Sequence, residues 1–192
     1  KNVVYVSDAG MPCVSDPGAS LVEFCIQNEI AYDVLPGANA ILTAYAMSGF
    51  SHTTFSFYGF LDHKGVSRAS KLNDALNDAK LAILYESPHR LLKLLEELSI
   101  KDANRTIFLA KEISKLHQNS YKDTALNLFE KFKDINIKGE WVVIIEPKET
   151  VGFNLDLDDI LSLDIAPKIK AKLIAKMTGE SIKDVYQKLL EN

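Results

Sequence analysis

Segments rich in β-branched and aromatic residues alternate along this chain with segments in which apolar residues recur every three or four positions. The first kind favours strands and the second favours amphipathic helices. Such alternation predicts an α/β fold, because a helix can return the chain across the face of a sheet. The predicted strands are residues 3–6, 31–35, 54–58, 81–85, 106–110 and 141–145. The predicted helices are residues 19–28, 38–47, 69–78, 88–98, 125–132, 167–177 and 181–190.

Length and charge narrow the function classes. The 192 residues, 47% hydrophobic and 25% charged, suit a soluble protein with one large domain or two small ones. A net charge of −4 excludes a positive field over the whole surface, although a local basic patch would suffice for nucleic acid. Cys13 and Cys25 lack the spacing of a metal site or a disulfide framework, so we expect no metal and a reducing cytoplasm. No apolar run approaches the roughly 20 residues of a membrane span, so we expect no membrane partner.

The character of the sequence changes near Pro147. Residues 149–164 are acidic and irregular and are predicted to form a linker. The two helical segments that follow flank Thr178 and Gly179, and their apolar spacing predicts a small helical hairpin. Before the linker, the polar segments 61–68 and 111–122 are predicted to be loops.

Three loops that follow predicted strands carry small residues or carboxylates. They span residues 7–12, 36–40 and 85–88. Loops at the carboxyl ends of neighbouring parallel strands meet at one edge of a sheet, where main-chain groups can contact a base and a carboxylate can bind hydroxyls or an ammonium. This pattern favours a nucleoside-type ligand. The Asp8 carboxylate could equally form an Asx turn or cap a helix, and the sequence leaves both interpretations open.

Six segments together carry a family resemblance. They are VSDAGMPCVSDPG (6–18), LPGANAILTA (35–44), YGFL (58–61), YESPHRL (85–91), AKEISKLH (110–117) and KGEWVVIIE (138–146). They resemble the tetrapyrrole methylase superfamily of S-adenosylmethionine enzymes, and within it the branch that methylates a ribose 2′-hydroxyl of small-subunit rRNA. Residues 168–190 are similar to the helical C-terminal extension of that branch.

The resemblance implies a two-domain α/β fold with an added helical hairpin. Residues 1–50 would be the remnant of an N-terminal domain with a partial parallel sheet. Residues 51–148 would form a complete C-terminal domain with a mixed sheet, and 149–192 the linker and helical extension. Family members begin with a P-T-P-I-G-N-L strand and a later E-D-T-R segment. Neither occurs here, so the chain is expected to start partway through the first domain.

A binding site for S-adenosylmethionine is also implied by the resemblance. The loop after the first predicted strand and the loop after the second would line it, and a glutamate after the fourth would lie against the methionine or ribose portion. The residues concerned are Ser7, Asp8, Gly10, Met11, Pro36, Gly37, Asn39, Ala40 and Glu86.

Candidate catalytic and RNA-binding residues follow from the same comparison. Glu86, Lys111 and Glu112 stand at the ends of predicted strands, and a ribose hydroxyl gains from a base or a nearby cation. An ordinary structural pair is the alternative for Lys111 and Glu112. Phosphate contacts are expected from two basic clusters. These clusters contain Lys64, Arg68, Lys71, His89 and Arg90.

Three functions are compatible with these features. The first is 2′-O-methylation of a cytidine in the rRNA of the assembled small ribosomal subunit, by a cytoplasmic homodimer. The second is C-methylation of a small tetrapyrrole, against which the helical tail and the basic loop weigh. The third is an inactive binding or dimerisation fragment.

Overall fold

The computed structural model of the chain describes residues 2–148 and 156–191. It divides into two compact units, Lys1–Lys148 and Glu149–Asn192. Within the described residues, no helix combines the length and apolar character needed to cross a bilayer.

A five-stranded mixed sheet forms the centre of the first unit. Its strands are β1 (Phe55–Phe60), β2 (Leu81–Glu86), β3 (Thr106–Lys111), β4 (Asn119–Thr124) and β5 (Trp141–Ile145). Their order across the sheet is β1-β2-β5-β3-β4. β1 and β2 pair in parallel, whereas β5 is antiparallel to both β2 and β3. The carboxyl ends of β1, β2 and β3 therefore lie at the same edge of the sheet, as the predicted site requires.

Among the described residues, five helices belong to this unit and three to the second. They are α1 (Ala19–Gln27), α2 (Ala40–Ser48), α3 (Gly65–Asn77), α4 (Pro88–Lys101), α5 (Ala125–Phe132), α6 (Leu157–Ser162), α7 (Pro167–Thr178) and α8 (Ile182–Glu191). The α/β class and the mixed sheet are thus confirmed.

The two faces of the sheet are buried against different helices. Strand β2 alternates between them, because successive side chains of a strand point to opposite faces. Ala82 and Leu84 pack with side chains of α3, α4 and α5. Leu81 and Ile83 pack with Ile41 of α2 and with Val14. The four leucines of α4 that face the sheet are completely buried, so burial of this apolar stripe is the main stabilising contribution of the helix.

The second unit is a small helical assembly with its own core. Its first helix, α6, begins with a capping box in which Asp156 and Asp159 each accept a hydrogen bond from the other's main-chain N–H. Gly179 ends α7 in the left-handed conformation, as the hairpin prediction requires. The core consists of Ile160, Ala171, Ile174, Ala175 and Val185. The predicted hairpin is confirmed. The prediction of an irregular linker is wrong for Leu157–Ser162, which is helical. The rest of that prediction, residues 149–155, lies outside the described residues.

The two strands predicted within the first fifty residues are not formed. Residues 3–6 and 31–35 adopt no regular structure, and within 2–50 the structure contains no strand, so the predicted N-terminal parallel sheet is wrong for the described residues. Val4 is 83% and Leu35 80% exposed. β-Branched residues favour strands because their side chains pack well on a pleated, half-buried surface. Within residues 2–50 no neighbouring strand supplies that surface.

Both predicted polar loops contain regular structure. Helix α3 begins at Gly65, inside the predicted loop 61–68, and buries Arg68 and Leu72. Strand β4 begins at Asn119, inside the predicted loop 111–122, and pairs with β3 from Thr106↔Thr124 to Lys111↔Asn119. It is the edge strand of the sheet and most of its side chains are exposed. Edge strands often carry charged and polar residues, which discourage pairing with other chains, and such a strand has the composition of a loop.

Candidate cofactor-binding site

Two of the three predicted ligand loops are in contact. We call residues 7–18 the first loop and residues 36–40 the second loop. Gly10 has a φ of +81°, and a Cβ atom there would lie 3.1 Å from the Ala38 carbonyl oxygen. Gly37 lies in ordinary contact with the side chain of Met11, with 3.4 Å from a Cβ position to Met11 Cγ. At position 10, glycine allows the two main chains to come this close without a shift, because it has no Cβ atom and tolerates the positive φ.

The first loop has an irregular but internally bonded backbone. The Ser7 hydroxyl donates to the Gly10 carbonyl at 2.7 Å. Cys13 and Ser15 have φ values of +69° and +57°, a conformation that non-glycine residues adopt uncommonly. Asp8 is exposed and takes part in no hydrogen bond or ion pair with the part of the chain that the structure describes. Its carboxylate therefore serves neither as an Asx turn nor as a helix cap here, and it is available to a ligand.

The second loop leads directly into α2. The Asn39 side chain caps this helix, with Oδ1 accepting from the main-chain N–H of Ile41 at 2.9 Å and of Leu42 at 3.1 Å. This contact fixes the position of Asn39 and explains why an asparagine stands directly before the helix. Ala40 packs against the buried face beneath it. The second loop is thus held by a helix cap, which leaves its main chain beside the first loop.

The first loop also reaches the carboxyl end of β1. Val14 packs against the face of the sheet that α2 covers. A Cβ atom on Gly59 of β1 would lie 3.8 Å from the Ser15 hydroxyl oxygen. The first loop therefore connects the second loop with the strand ends, at the edge where the sequence places the site.

Glu86 lies on the opposite face of the sheet from these loops. It is 2% exposed and follows the alternation of Ala82 and Leu84, so it points towards α3 and α4. Its Oε1 lies 2.7 Å from Arg90 Nη2 and accepts from the Ser87 N–H at 2.8 Å. Its Oε2 has no hydrogen-bond partner among the described residues and lies 3.8 Å from Arg68 Nη1. The structure does not support the predicted cofactor and catalytic roles of Glu86, because its carboxylate is enclosed between two arginines.

Arg68 is likewise buried rather than presented to RNA. It is 3% exposed and its guanidinium makes a forked contact with Glu97, the shortest distance being 2.7 Å from Nη2 to Oε2. A buried, fully engaged guanidinium cannot neutralise a phosphate, so the RNA-binding prediction for Arg68 is not supported. Lys64 and His89 are exposed, whereas Lys71 donates to the Phe60 carbonyl at 2.9 Å. These three remain candidates for phosphate contacts.

Lys111 and Glu112 make structural contacts at the end of β3. The Lys111 ammonium lies 5.8 Å from the centroid of the Trp141 ring. Glu112 Oε1 accepts from the Glu140 main-chain N–H at 2.8 Å and from Lys115 Nζ at 3.1 Å. These contacts tie the turn after β3 to the start of β5. They favour the structural alternative over the catalytic one for both residues.

The Glu112 contacts predict a pH-dependent stability. The hydrogen bond from the Glu140 N–H, followed by the one from Lys115, lowers the pKa of the Glu112 carboxyl in the folded protein. A lowered folded-state pKa means that the carboxylate stabilises the fold above the unfolded-state pKa, about 4.3, and that this contribution is lost as the pH falls further. We expect Glu112→Gln to be less stable than the parent at pH 7, and the difference to narrow as the pH falls from 5 to 3. Urea unfolding at several pH values measures it, and a constant difference would contradict the assignment.

The chain is similar in sequence to known proteins of one family. A family model described as "Tetrapyrrole (Corrin/Porphyrin) Methylases" matches residues 1–128. The chain belongs to the tetrapyrrole methylases. A protein of Campylobacter fetus subsp. fetus named "Ribosomal RNA small subunit methyltransferase I" is 45% identical over 191 residues, which are 99% of this chain and 70% of that protein. A protein of Helicobacter pylori with the same name is 41% identical over 198 residues, covering 100% of this chain and 69% of its own length.

Solved structures agree on the fold of this tetrapyrrole methylase. The chain is similar to "cobalt precorrin-4 methyltransferase, CbiF", with a TM-score of 0.53 and 15% identity over 71% of this chain and 61% of that one. It is similar to "the methyltransferase CobJ" with a TM-score of 0.51 and 21% identity over 72% of this chain and 62% of that one. The chain thus spans about three fifths of these structures, and at such low identity the likeness concerns the fold. The predicted membership of a methyltransferase family, and of its rRNA branch, is confirmed.

Proposed function

We propose that this chain carries the S-adenosylmethionine-dependent methylation of a cytidine 2′-hydroxyl in small-subunit (16S) rRNA. The observation that carries the proposal is the 45% identity, over 99% of the chain, to a relative named for methylation of small-subunit ribosomal RNA. Homodimer formation and a cytoplasmic location belong to the same proposal. The exposed apolar side chains of residues 2–50, among them Val4 and Leu35, suit a further protein contact.

The contact between the first and second loops fits S-adenosylmethionine. The cofactor is an adenosine joined to a methionine, so it needs close main-chain contacts for its flat base and polar groups for its hydroxyls and ammonium. Gly10 lets the main chains of the two loops lie close together, and Asp8 offers an exposed carboxylate with no partner among the described residues. Asp8 would bind either the ribose hydroxyls or the methionine ammonium. When bound, the cofactor supplies an activated methyl group on a sulfonium.

Alignment is the main task left to the protein. The ribose oxygen must approach the methyl carbon opposite the sulfur, form the O–CH₃ bond as the S–CH₃ bond breaks, and lose its proton. Because the donor is already activated, holding both reactants in line contributes most of the acceleration. The loops hold the donor, and the adjacent edge of the sheet, where β1, β2 and β3 end, receives the acceptor.

Transfer of a labelled methyl group tests the proposed function. The purified protein is incubated with methyl-labelled S-adenosylmethionine and small ribosomal subunits that lack the modification. We expect label in rRNA at a single cytidine, recovered as 2′-O-methylcytidine after digestion to nucleosides. Label on an added porphyrinoid but not on rRNA would instead support tetrapyrrole C-methylation. Binding of the cofactor without transfer to either acceptor would favour the fragment hypothesis.

Asp8→Asn is expected to weaken cofactor binding about tenfold or more. The substitution keeps the shape of the side chain but removes a charge-assisted hydrogen bond, whose usual contribution is about 1.5–3 kcal/mol. Titration calorimetry with S-adenosylmethionine measures the loss. Asp16→Asn is the matched control, because Asp16 is an exposed aspartate of the same first loop. Equal affinities of the Asp8 variant and the parent would remove Asp8 from the site.

A further inference from the structure

Phe60 is an exposed aromatic side chain at the carboxyl end of β1. Its side chain is 51% exposed although it belongs to the strand, and it pairs in register with Tyr85 of β2. The two rings are 5.5 Å apart at their centroids and inclined at 53°. Tyr85 in turn makes an edge contact with Phe57 at 5.1 Å. Phe60 is therefore the solvent-exposed member of a cluster of three aromatic rings.

A cation is held beside the open ring. The Arg90 guanidinium carbon lies over the Phe60 ring, 5.9 Å from its centroid. Arg90 also donates to the Leu61 carbonyl at 3.0 Å and pairs with Glu86 at 2.7 Å. Two contacts on other atoms thus fix the guanidinium where it borders the ring. This explains the buried carboxylate of Glu86, which positions Arg90 rather than touching a ligand.

The backbone that carries Phe60 is held by three separate side-chain cations. The carbonyl of Phe60 accepts from Lys71 at 2.9 Å, that of Leu61 from Arg90 at 3.0 Å, and that of Asp62 from Arg68 at 3.2 Å. Three consecutive carbonyls bonded in this way leave the turn little freedom. A rigid ring loses little conformational entropy when it binds a partner, so the turn is preorganised for contact.

The residue before Phe60 lies beside the first loop, and the turns next to Phe60 and Arg90 carry further basic residues. Gly59, the residue before Phe60, is the one approached by Ser15 of the first loop. Exposed Lys64 lies on the turn between Phe60 and α3, and exposed His89 precedes Arg90 in the first turn of α4. The one exposed acid of the turn, Asp62, is hydrogen-bonded to the Ser67 hydroxyl. A flat apolar surface bordered by cations is complementary to an unpaired nucleobase with its phosphates.

We propose that Phe60, supported by Tyr85 and bordered by Arg90, is a stacking platform for an unpaired nucleobase of the RNA substrate. The inference rests on the proposed function and adds to it the place where the RNA lies. Stacking on this ring would hold a nucleotide of a single-stranded segment next to the loops that bind the methyl donor. The basic residues Lys64, His89 and Arg90 would contact the phosphates on either side of that nucleotide.

Fluorescence of a short single-stranded oligoribonucleotide carrying one 2-aminopurine tests the platform. Stacking on an aromatic ring quenches 2-aminopurine, and anisotropy of an end label reports affinity separately. We expect the parent protein to bind the RNA and quench the base. Phe60→Ala should abolish the quenching and weaken binding about 5- to 100-fold, the range for loss of one stacked base. Phe60→Tyr keeps an aromatic face and should behave like the parent.

Ile100→Ala is the matched control, since Ile100 is 78% exposed in the last turn of α4, away from the carboxyl edge of the sheet. It should leave quenching and affinity unchanged. Equal binding and quenching by the parent and Phe60→Ala would overturn the platform while leaving the methyl-transfer result intact. A change of sedimentation in Phe60→Ala without a change in RNA binding would assign the ring to a protein contact instead. A parent protein that neither binds RNA nor methylates small subunits would overturn the proposed function as well.

Discussion

Arg68→Met is expected to lower the free energy of unfolding by about 3–5 kcal/mol, the usual cost of removing one member of a buried ion pair. Methionine has a similar volume, so the loss of charge dominates over any cavity. The Arg68 guanidinium lies against Glu97 at 2.7 Å and Glu86 at 3.8 Å, and its side chain is 4% exposed. Without it, Glu86 would stay buried with Arg90 as its remaining cation, and the Asp62 carbonyl would lose its donor. Urea unfolding followed by circular dichroism measures the change.

A second cation on the same glutamate is the natural control for Arg68. Lys93 lies 3.9 Å from Glu97 across one helical turn, but its side chain is 54% exposed. Exposed pairs of this kind contribute about 0.3–0.5 kcal/mol, so Lys93→Met should change stability little. Added salt distinguishes the two ion pairs further, since it screens an exposed pair much more than a buried one. Equal effects of both substitutions would show that burial adds nothing to the Arg68 contacts.

Trp141→Ala is expected to cost about 3–5 kcal/mol of unfolding free energy, as large-to-small core substitutions of aromatic residues do. Trp141 is 3% exposed and starts β5. The centroid of its ring lies 5.5 Å from that of Phe132 in α5 and 6.2 Å from that of Tyr121 in β4. One side chain therefore joins three elements, including the edge strand, and its removal leaves a cavity between them. The edge strand should lose most of its packing.

Trp141→Phe distinguishes packing from hydrogen bonding at this site. Phenylalanine keeps an aromatic ring but loses the hydrogen bond that Trp141 Nε1 donates to the Lys138 carbonyl at 3.2 Å. A cost of about 1 kcal/mol is expected, the typical contribution of one hydrogen bond. Circular dichroism is again the appropriate measurement, because Trp141 is the only tryptophan of the chain and its replacement removes the fluorescence signal. A phenylalanine variant as unstable as the alanine variant would contradict the packing argument.

The local sequence pattern was sufficient to predict the three inner strands of the sheet and the helix α4 that packs on them. Strands β2, β3 and β5 are continuous apolar runs, and α4 carries a leucine stripe that only a helix can bury on one side. Strand β4 escaped prediction because an edge strand exposes most of its side chains and can be as polar as a loop. Residues 3–6 have the composition of a strand but no strand beside them in the described residues, and composition does not reveal whether a partner is present.

The candidate site shows the same division. The sequence predicted that the first and second loops meet, and Gly10 lies at a close contact between their main chains. The roles of the charged residues were harder to predict. Glu86 and Arg68 are 18 positions apart in the chain, yet they are buried together, and a charge that appears free in a sequence can be paired in the fold.

The order of the amino acids by itself determined the α/β class, the family and the helical hairpin around Gly179, because these depend on neighbouring residues and on short motifs. The tertiary structure alone decided which charged side chains are available to a ligand. It directs Glu86 and Arg68 inward and leaves Asp8 and Phe60 accessible. The physical reason is that availability depends on burial and on a partner's position in space, and both arise only when distant segments pack together.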